Sequence, residues 1–407
     1  MYDENFTNLA APPAAKAPPG LGDLWSRLLL KRLARIGEGG LTLVAPDETV
    51  LRFGRAGSAP AASIAVHDAA VARRLILGGT IGFAEAYMDE LWDSPDLVAL
   101  ILLAAANERA LGIDDAASFL ACLVERARHA LRRNSRRGSA RNIAYHYDLG
   151  NAFYAAWLDP GMTYSAALFA SGDEPLEAAQ QRKYQAVASL LALAPGQSVL
   201  EIGCGWGGFA ELAARGHGCR VTGITLSREQ RDYAQERLGT AAEIRLQDYR
   251  DVAGRFDRIA SIEMIEAVGE KQWPVYFARL RDLLAPGGIA VLQAITIADA
   301  RFDAYRRCPD FIQRYIFPGG MLPSRGALLR ASAAAGLRVV EGPRFGASYA
   351  RTLALWQARF QAAWPRIAAL GFDRRFKRMW EYYLAYCEAG FRAGTLDVGL
   401  YRLERSR

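Results

Sequence analysis

Between Leu24 and Ile36 apolar residues recur at three- and four-residue intervals, the period of a helix that buries one face. Leu41–Val44, Val50–Phe53 and Ser63–Val66 are short apolar pieces set off by Gly, Pro and Asp, the pattern of strands joined by turns. Ala69–Leu77, Gly82–Leu91, Asp96–Asn107 and Ala116–Arg133 then read as helices. Together they predict a small α+β unit over residues 23–133. Ahead of it, residues 1–22 hold the Ala/Pro-rich run Ala10–Gly20 and neither the basic start nor the apolar stretch of a secretory signal, so a disordered cytosolic tail is expected. Residues 134–142 are rich in Arg, Ser and Gly, which is linker composition and places the domain boundary.

From Ser198 the pattern changes to short β-branched runs alternating with helical segments. Val199–Ile202, Arg220–Ile224, Ile244–Leu246, Arg258–Ile262 and Ile289–Ala294 read as strands, with helices over Phe209–Arg215, Arg228–Leu238 and Tyr276–Leu284 and a turn at Pro286–Gly288. That alternation predicts an α/β domain, a doubly wound parallel sheet, over residues 143–407.

Of 407 residues, 51% are hydrophobic, enough for two cores. The longest apolar run, Leu97–Ala106, is about half the roughly 20 residues needed to span a bilayer. Five cysteines without CxxC spacing and four scattered histidines argue against a disulfide framework or a metal centre. The net charge of +7 suits an anionic partner. Arg126, Arg128, Arg132, Arg133, Arg136, Arg137 and Arg141 crowd one segment, read either as a solvated helix and linker or as a contact with an anionic membrane surface; no nucleic-acid motif accompanies them.

Val199-Leu200-Glu201-Ile202-Gly203-Cys204-Gly205-Trp206-Gly207-Gly208 leaves a strand and enters a helix through closely spaced glycines, a turn at which doubly wound sheets bind nucleotides. Phe209 stands where a Walker motif carries Lys, which argues against nucleotide hydrolysis. GxGxG followed later by Pro-Gly-Gly favours S-adenosylmethionine over nicotinamide and flavin cofactors. The second strand ends in Thr225-Leu226-Ser227 without the usual acidic residue. Thr225 and Gln230 could therefore hold a ribose, and Thr225 and Ser227 could also cap the helix that follows.

Several ordered blocks resemble the cyclopropane-fatty-acyl-phospholipid synthase family, which includes the mycolic acid cyclopropane synthases. They are Tyr145-His146-Tyr147-Asp148-Leu149-Gly150-Asn151, Met162-Thr163-Tyr164-Ser165, the glycine turn, Gly223-Ile224-Thr225-Leu226-Ser227, Ser261-Ile262-Glu263-Met264-Ile265-Glu266-Ala267-Val268-Gly269, Phe317-Pro318-Gly319-Gly320 and Phe345-Gly346 with Tyr349. The resemblance implies a class I methyltransferase (Rossmann-like) fold with a smaller α+β N-terminal unit that engages lipid. It further implies transfer of a one-carbon unit from S-adenosylmethionine to the double bond of an unsaturated phospholipid acyl chain. Tyr164, Ser165, Glu201, Gly203, Gly205, Thr225, Gln230, Asp248 and Tyr249 would surround the cofactor, and Glu266 and Tyr349 would line the reacting centre. An enzyme that is cytoplasmic, peripheral at the inner membrane face and able to form a homodimer follows from the same resemblance.

Attack of an alkene on the sulfonium methyl leaves a carbocation that must lose a proton: from the incoming methyl to close a ring, or from the chain to give a methyl branch. Ring-closing members of the family hold bicarbonate as base through a cysteine, a histidine, the glutamate and the tyrosine. Here Ala166 stands at the cysteine position, Gln293 at the histidine position, and Ala267 follows Glu266 where histidine is common. Gln293 can donate a hydrogen bond but cannot take up a proton. A methyl-branched product is the expectation, with a ring formed around Glu266, Tyr349, Gln293 and a backbone group near Ile295 as the rival. A small-molecule methyltransferase and a non-catalytic lipid-binding protein are the alternatives on the same fold.

Overall fold

The computed structural model describes residues 21–55, 57–112 and 149–406; the helix expected over Ala116–Arg133, the arginine-rich segment, the linker and Tyr145–Asp148 lie outside them. In the N-terminal unit four strands, β1 (Gly40–Val44), β2 (Val50–Gly54), β3 (Ala61–Val66) and β4 (Trp92–Asp93), lie in the order β2-β1-β3-β4. β1 pairs antiparallel with β2 and parallel with β3. The two-residue period turns Leu41, Leu43, Ala62, Ile64 and Val66 to the buried face. Helix α1 (Leu24–Leu33) starts at Asp23, whose carboxylate accepts the amides of Trp25 and Ser26 at 2.8 and 3.2 Å.

The two helices expected between Ala69 and Leu91 form one run, α2 (Ala70–Met88), broken only at Gly79 (φ 58°, ψ −147°). Helix α3 (Leu97–Ala106) is apolar on every side. Leu100 and Leu103 are buried, while Ile101, Ala104 and Ala105 face a cavity, so no side of it has to be polar.

The second sheet has the order β10-β11-β9-β8-β5-β6-β7. β5 (Ser198–Ile202), β6 (Arg220–Thr225), β7 (Ala242–Leu246), β8 (Phe256–Ile262) and β9 (Leu284–Ile297) are parallel; β11 (Leu396–Arg405) runs antiparallel to β9 and to β10 (Leu337–Arg344). The turn expected at Pro286–Gly288 is a bulge inside β9: Phe256 pairs with Leu284 and Arg258 with Ile289, so three extra residues loop out around Gly287. From β5 the chain winds through β6 and β7 to one edge and then returns to place β8 on the other side of β5. This reversal opens a crevice at the carboxyl ends of β5 and β8, where Gly203 and Glu263 follow the last strand residues.

Helix α4 (Leu176–Leu191) leads into β5, α5 (Arg228–Leu238) joins β6 to β7, and α6 (Gly346–Ala369) and α7 (Arg374–Arg392) form a hairpin packed beside the crevice. Against α7 the N-terminal unit docks. The buried Arg378 guanidinium donates to the carbonyls of Tyr87 and Trp92 at 2.5 and 2.8 Å, pairs with Asp93 at 2.7 Å and lies 3.8 Å above the Tyr87 ring. Such a group satisfies several acceptors at once, so the two units share one rigid seam.

Candidate active site

At the end of β5 the glycine turn is held from outside. Trp206 donates through Nε1 to Asn151 Oδ1 at 2.6 Å and packs on Tyr154, which explains the Gly150-Asn151 block ahead of the sheet. Gly205 adopts φ +51°, and a Cβ there would project into open space on the cavity wall. Glu201 is buried with Oε2 unpartnered, and burial pushes its carboxyl up to about 8 against the opposing charges of Lys183 and Arg237. At the end of β6 Thr225 Oγ1 donates to Gln230 Oε1 at 2.7 Å. Ser227 accepts the Gln230 amide and so caps α5, the capping role expected of it. Tyr249 stacks edge-on to Tyr276 and walls the same space. A glycine cradle, a buried orphan carboxylate oxygen and an aromatic wall fit S-adenosylmethionine, and Glu201, Gly203, Gly205, Thr225, Gln230 and Tyr249, which line that part of the cavity, could hold it. Asp248, expected among them, does not line the cavity; it caps the turn at Arg250 and pairs with that guanidinium at 2.6 Å.

Across the crevice runs a strap, residues 159–167. Asp159 accepts the amides of Gly161 and Thr163 at 2.9 and 3.0 Å and turns the chain so that Tyr164 and Ser165 face the cavity. Tyr164 shares a hydrogen bond of 2.8 Å with Tyr383 of α7. Ser165 Oγ accepts from the fully buried Lys183 of α4 at 2.6 Å.

The acceptor side is organised around a residue that the sequence did not single out. Glu263, at φ +51°, stands just past β8. Its Oε1 accepts from the Ala166 amide at 2.8 Å and from Gln293 Nε2 at 2.6 Å, and its Oε2 accepts from the Tyr349 hydroxyl at 2.7 Å. Three of the four expected catalytic positions therefore converge on Glu263, and Ala166 and Gln293 sit behind it, away from the cavity surface. Glu266, which also lines the cavity, lies three residues on: its Oε1 accepts the Ile295 amide at 2.6 Å, and its buried Oε2 has no hydrogen-bond partner. Burial first and then the Glu263 charge push Glu266 up to about 8. Burial raises Glu263 too, against donors from Ala166, Tyr349 and Gln293 and the Lys183 charge. Of the two, Glu263 is the one built to be an anion and Glu266 to hold a proton at neutral pH. A left-handed, non-glycine backbone at such a position is the kind of strain that functional sites keep.

From these carboxylates one continuous cavity of about 970 Å³ extends both to the glycine turn and into the N-terminal unit, where Leu33, Leu41, Ile64, Leu75, Ile101 and Ala104 line it. The interior of the smaller unit is thus an apolar extension of the active site.

Residues 134–400 match the mycolic acid cyclopropane synthetase family. The chain belongs to that family. It is 40% identical to the tuberculostearic acid methyltransferase UfaA1 of Mycobacterium tuberculosis, over 97% of this chain and 95% of that one. It is 39% identical to the cyclopropane-fatty-acyl-phospholipid synthase of Escherichia coli K12, over 89% and 92%. The crystal structure of mycolic acid cyclopropane synthase CmaA1 complexed with SAH and CTAB superposes with a TM-score of 0.61 at 31% identity, covering 65% of this chain and 98% of that one. This family member is a class I methyltransferase by fold and an S-adenosylmethionine-dependent enzyme. It transfers a one-carbon unit to an unsaturated lipid acyl chain, with a methyl-branched or cyclopropane product.

Proposed function

We propose that the enzyme makes a one-carbon-branched acyl chain rather than a ring, with Glu263 as the base. The observation that carries this is the grip of Ala166 N, Gln293 Nε2 and Tyr349 Oη on the Glu263 carboxylate. Those are the positions that the resemblance gives to holding bicarbonate. With them engaged by a protein carboxylate, and with Glu266 adjacent, a further anion does not fit, and no step runs through bicarbonate here.

S-adenosylmethionine, when bound, supplies an electrophilic methyl on sulfonium. The acyl double bond forms the new C–C bond as the C–S bond breaks, which leaves S-adenosylhomocysteine and a cation on the chain. Tyr164 and Tyr383 wall this space, with Trp356 packed behind Tyr164, and their rings keep water from it. The Glu263 carboxylate takes the proton, and one C=C remains in the branched chain. Positioning and fixed charge supply the rate. The full-length relative named a methyltransferase supports the same reading.

Nuclear magnetic resonance of the lipid product tests it: olefinic protons beside the new carbon are expected, and upfield cyclopropyl protons would overturn the proposal. Glu263→Gln should lower turnover by about 10²-fold or more, the range for a lost general base, with S-adenosylmethionine affinity unchanged.

We infer further that the lipid is met at a membrane through α1. Leu24 is 65% exposed and Leu28 39%, with Arg27 and Lys31 exposed on the same short helix and Arg35 exposed just past its end. Apolar anchors among cations suit an anionic interface. No helix among the described residues is long and apolar enough to cross a bilayer. Flotation with anionic vesicles should be lost in Leu24→Ser/Leu28→Ser and weakened by salt; unchanged binding would remove α1 from the contact.

A further inference from the structure

Lys183 has had no part in the chemistry so far. It is 0% exposed, on the buried face of α4, and its ammonium rests on Ser165 Oγ at 2.6 Å and 4.1 Å from the centre of the Tyr184 ring. A lysine is almost never fully buried unless something nearby needs its charge. Ser165 is followed by Ala166, whose amide donates to Glu263, so consecutive residues of the strap touch Lys183 and Glu263 in turn.

We propose that Lys183 is the counter-charge that keeps Glu263 ionised at the reacting centre, a positioning residue that acts through the base and the Ser165–Ala166 strap.

The groups around it leave it this role. Its field is shared by Glu263 past β8, Asp159 on the strap and Glu201 in β5, and burial lowers it only to about 8, so it is cationic at neutral pH. Glu263 faces Glu266, which raises any cost of ionisation, and the Tyr349 and Gln293 donors, which are neutral. Burial and the Glu263 charge hold the Tyr349 phenol well above its ordinary value, so it stays a donor and brings no positive charge. Among the described residues Lys183 is the cation that acts on Glu263; it acts on Glu201 as well, where Arg237 adds to it. Several carboxylates in a low-dielectric space cannot ionise together without a cation among them. Lys183 transfers no proton: the proton of the reaction goes to the carboxylate, and the ammonium stays as it is.

This inference rests on Glu263 being the base, and the experiment separates the two. Turnover of the full chain on vesicles of unsaturated phospholipid is followed from pH 5.5 to 9.5 for the unaltered enzyme, Lys183→Met, Lys183→Gln and Glu263→Gln. Lys183→Gln keeps a donor for Ser165 and removes only the charge, which guards against a Met variant that folds poorly. Both Lys183 variants should move the acid limb of the turnover profile up by about one unit or more. They should recover to within about threefold of the unaltered rate above that limb, as a base restored by pH does. Placing either Lys183 variant on Glu263→Gln should cost nothing further. A loss of the same factor at every pH, or an unmoved limb, overturns the role of Lys183 while leaving Glu263 in place. Full activity in Glu263→Gln overturns the base itself.

Discussion

The cofactor end of the cavity is made from residues close together in the chain, Glu201–Gly208 and Thr225–Gln230, each at the end of a strand that the β-pattern marks. The acceptor end gathers Ala166 from the strap, Glu263 from the end of β8, Gln293 from β9 and Tyr349 from α6, over more than 180 residues of sequence separation. The first end is a backbone device and the second a side-chain device. Backbone devices depend on where a turn is, side-chain devices on what meets across a fold. The two ends should therefore fail differently when altered, one in binding and the other in chemistry.

The largest contrast should come from Gly205→Val. At φ +51° a β-branched residue is strained, and its side chain would occupy the open cradle. S-adenosylmethionine affinity by calorimetry should fall about 100-fold or more, equivalent to about 2.7 kcal/mol, while lipid binding is retained. Equal losses of both ligands would show that the ends are not separable in this way.

That asymmetry also sets what the sequence could tell. Strands β5 to β9, the glycine turn and Thr225–Gln230 were legible because period-two runs and clustered glycines are local signals. The kinked single run of α2 was read as two helices because Gly78-Gly79 looks like a boundary, whereas only Gly79 leaves helical geometry. β10 and β11 were not read at all: Leu396–Arg405 alternates Leu, Val and Tyr with Gly, Asp and Arg, and only its pairing with β9 makes it a strand. Glu263 was quoted within a block and passed over, since a carboxylate three residues before another looks like surface until Ala166, Gln293 and Tyr349 are brought around it. Its signal was available in principle: a second acidic residue directly after an apolar strand, in a chain where two other anion-holding positions, Ala166 and Gln293, had become Ala and Gln. The hollow interior of the N-terminal unit left no trace, because residues lining an apolar cavity are the same types that fill a core.

A smaller effect tests whether the acceptor end reaches into that unit. Ala104 of α3 is half-buried on the cavity wall, and Ala104→Phe would fill space there without touching Glu263 or the glycine turn. The value of kcat/KM on long acyl chains should fall about tenfold, a loss typical of a misfitted apolar pocket, and shorter chains should be spared. An equal loss for all chain lengths, or a melting temperature lowered in step, would instead indicate overpacking of α3.

The smallest effect concerns stability, and its sign follows from the way the two carboxylates differ. Glu266 has an ordinary value of 4.5 and is held near 8 in the folded chain. Below pH 4.5 it is protonated whether folded or unfolded. Between 4.5 and 8 the unfolded chain gives up this proton and the folded one keeps it, so folding stability declines as pH rises through that window and levels off above it. Glu266→Gln removes the titration and leaves an amide that resembles the protonated acid in shape. The variant should melt no higher than the unaltered chain at pH 4.5 and a few degrees higher at pH 8, the shift expected of a few kcal/mol in a chain this long. Because Glu201 also sits near 8, the unaltered chain keeps part of the slope in the variant. Glu263→Gln should show less of this gain, because its carboxylate is held by three donors that an amide matches poorly. If the two variants gain equally, the pair shares its proton evenly and the division of roles between Glu263 and Glu266 fails.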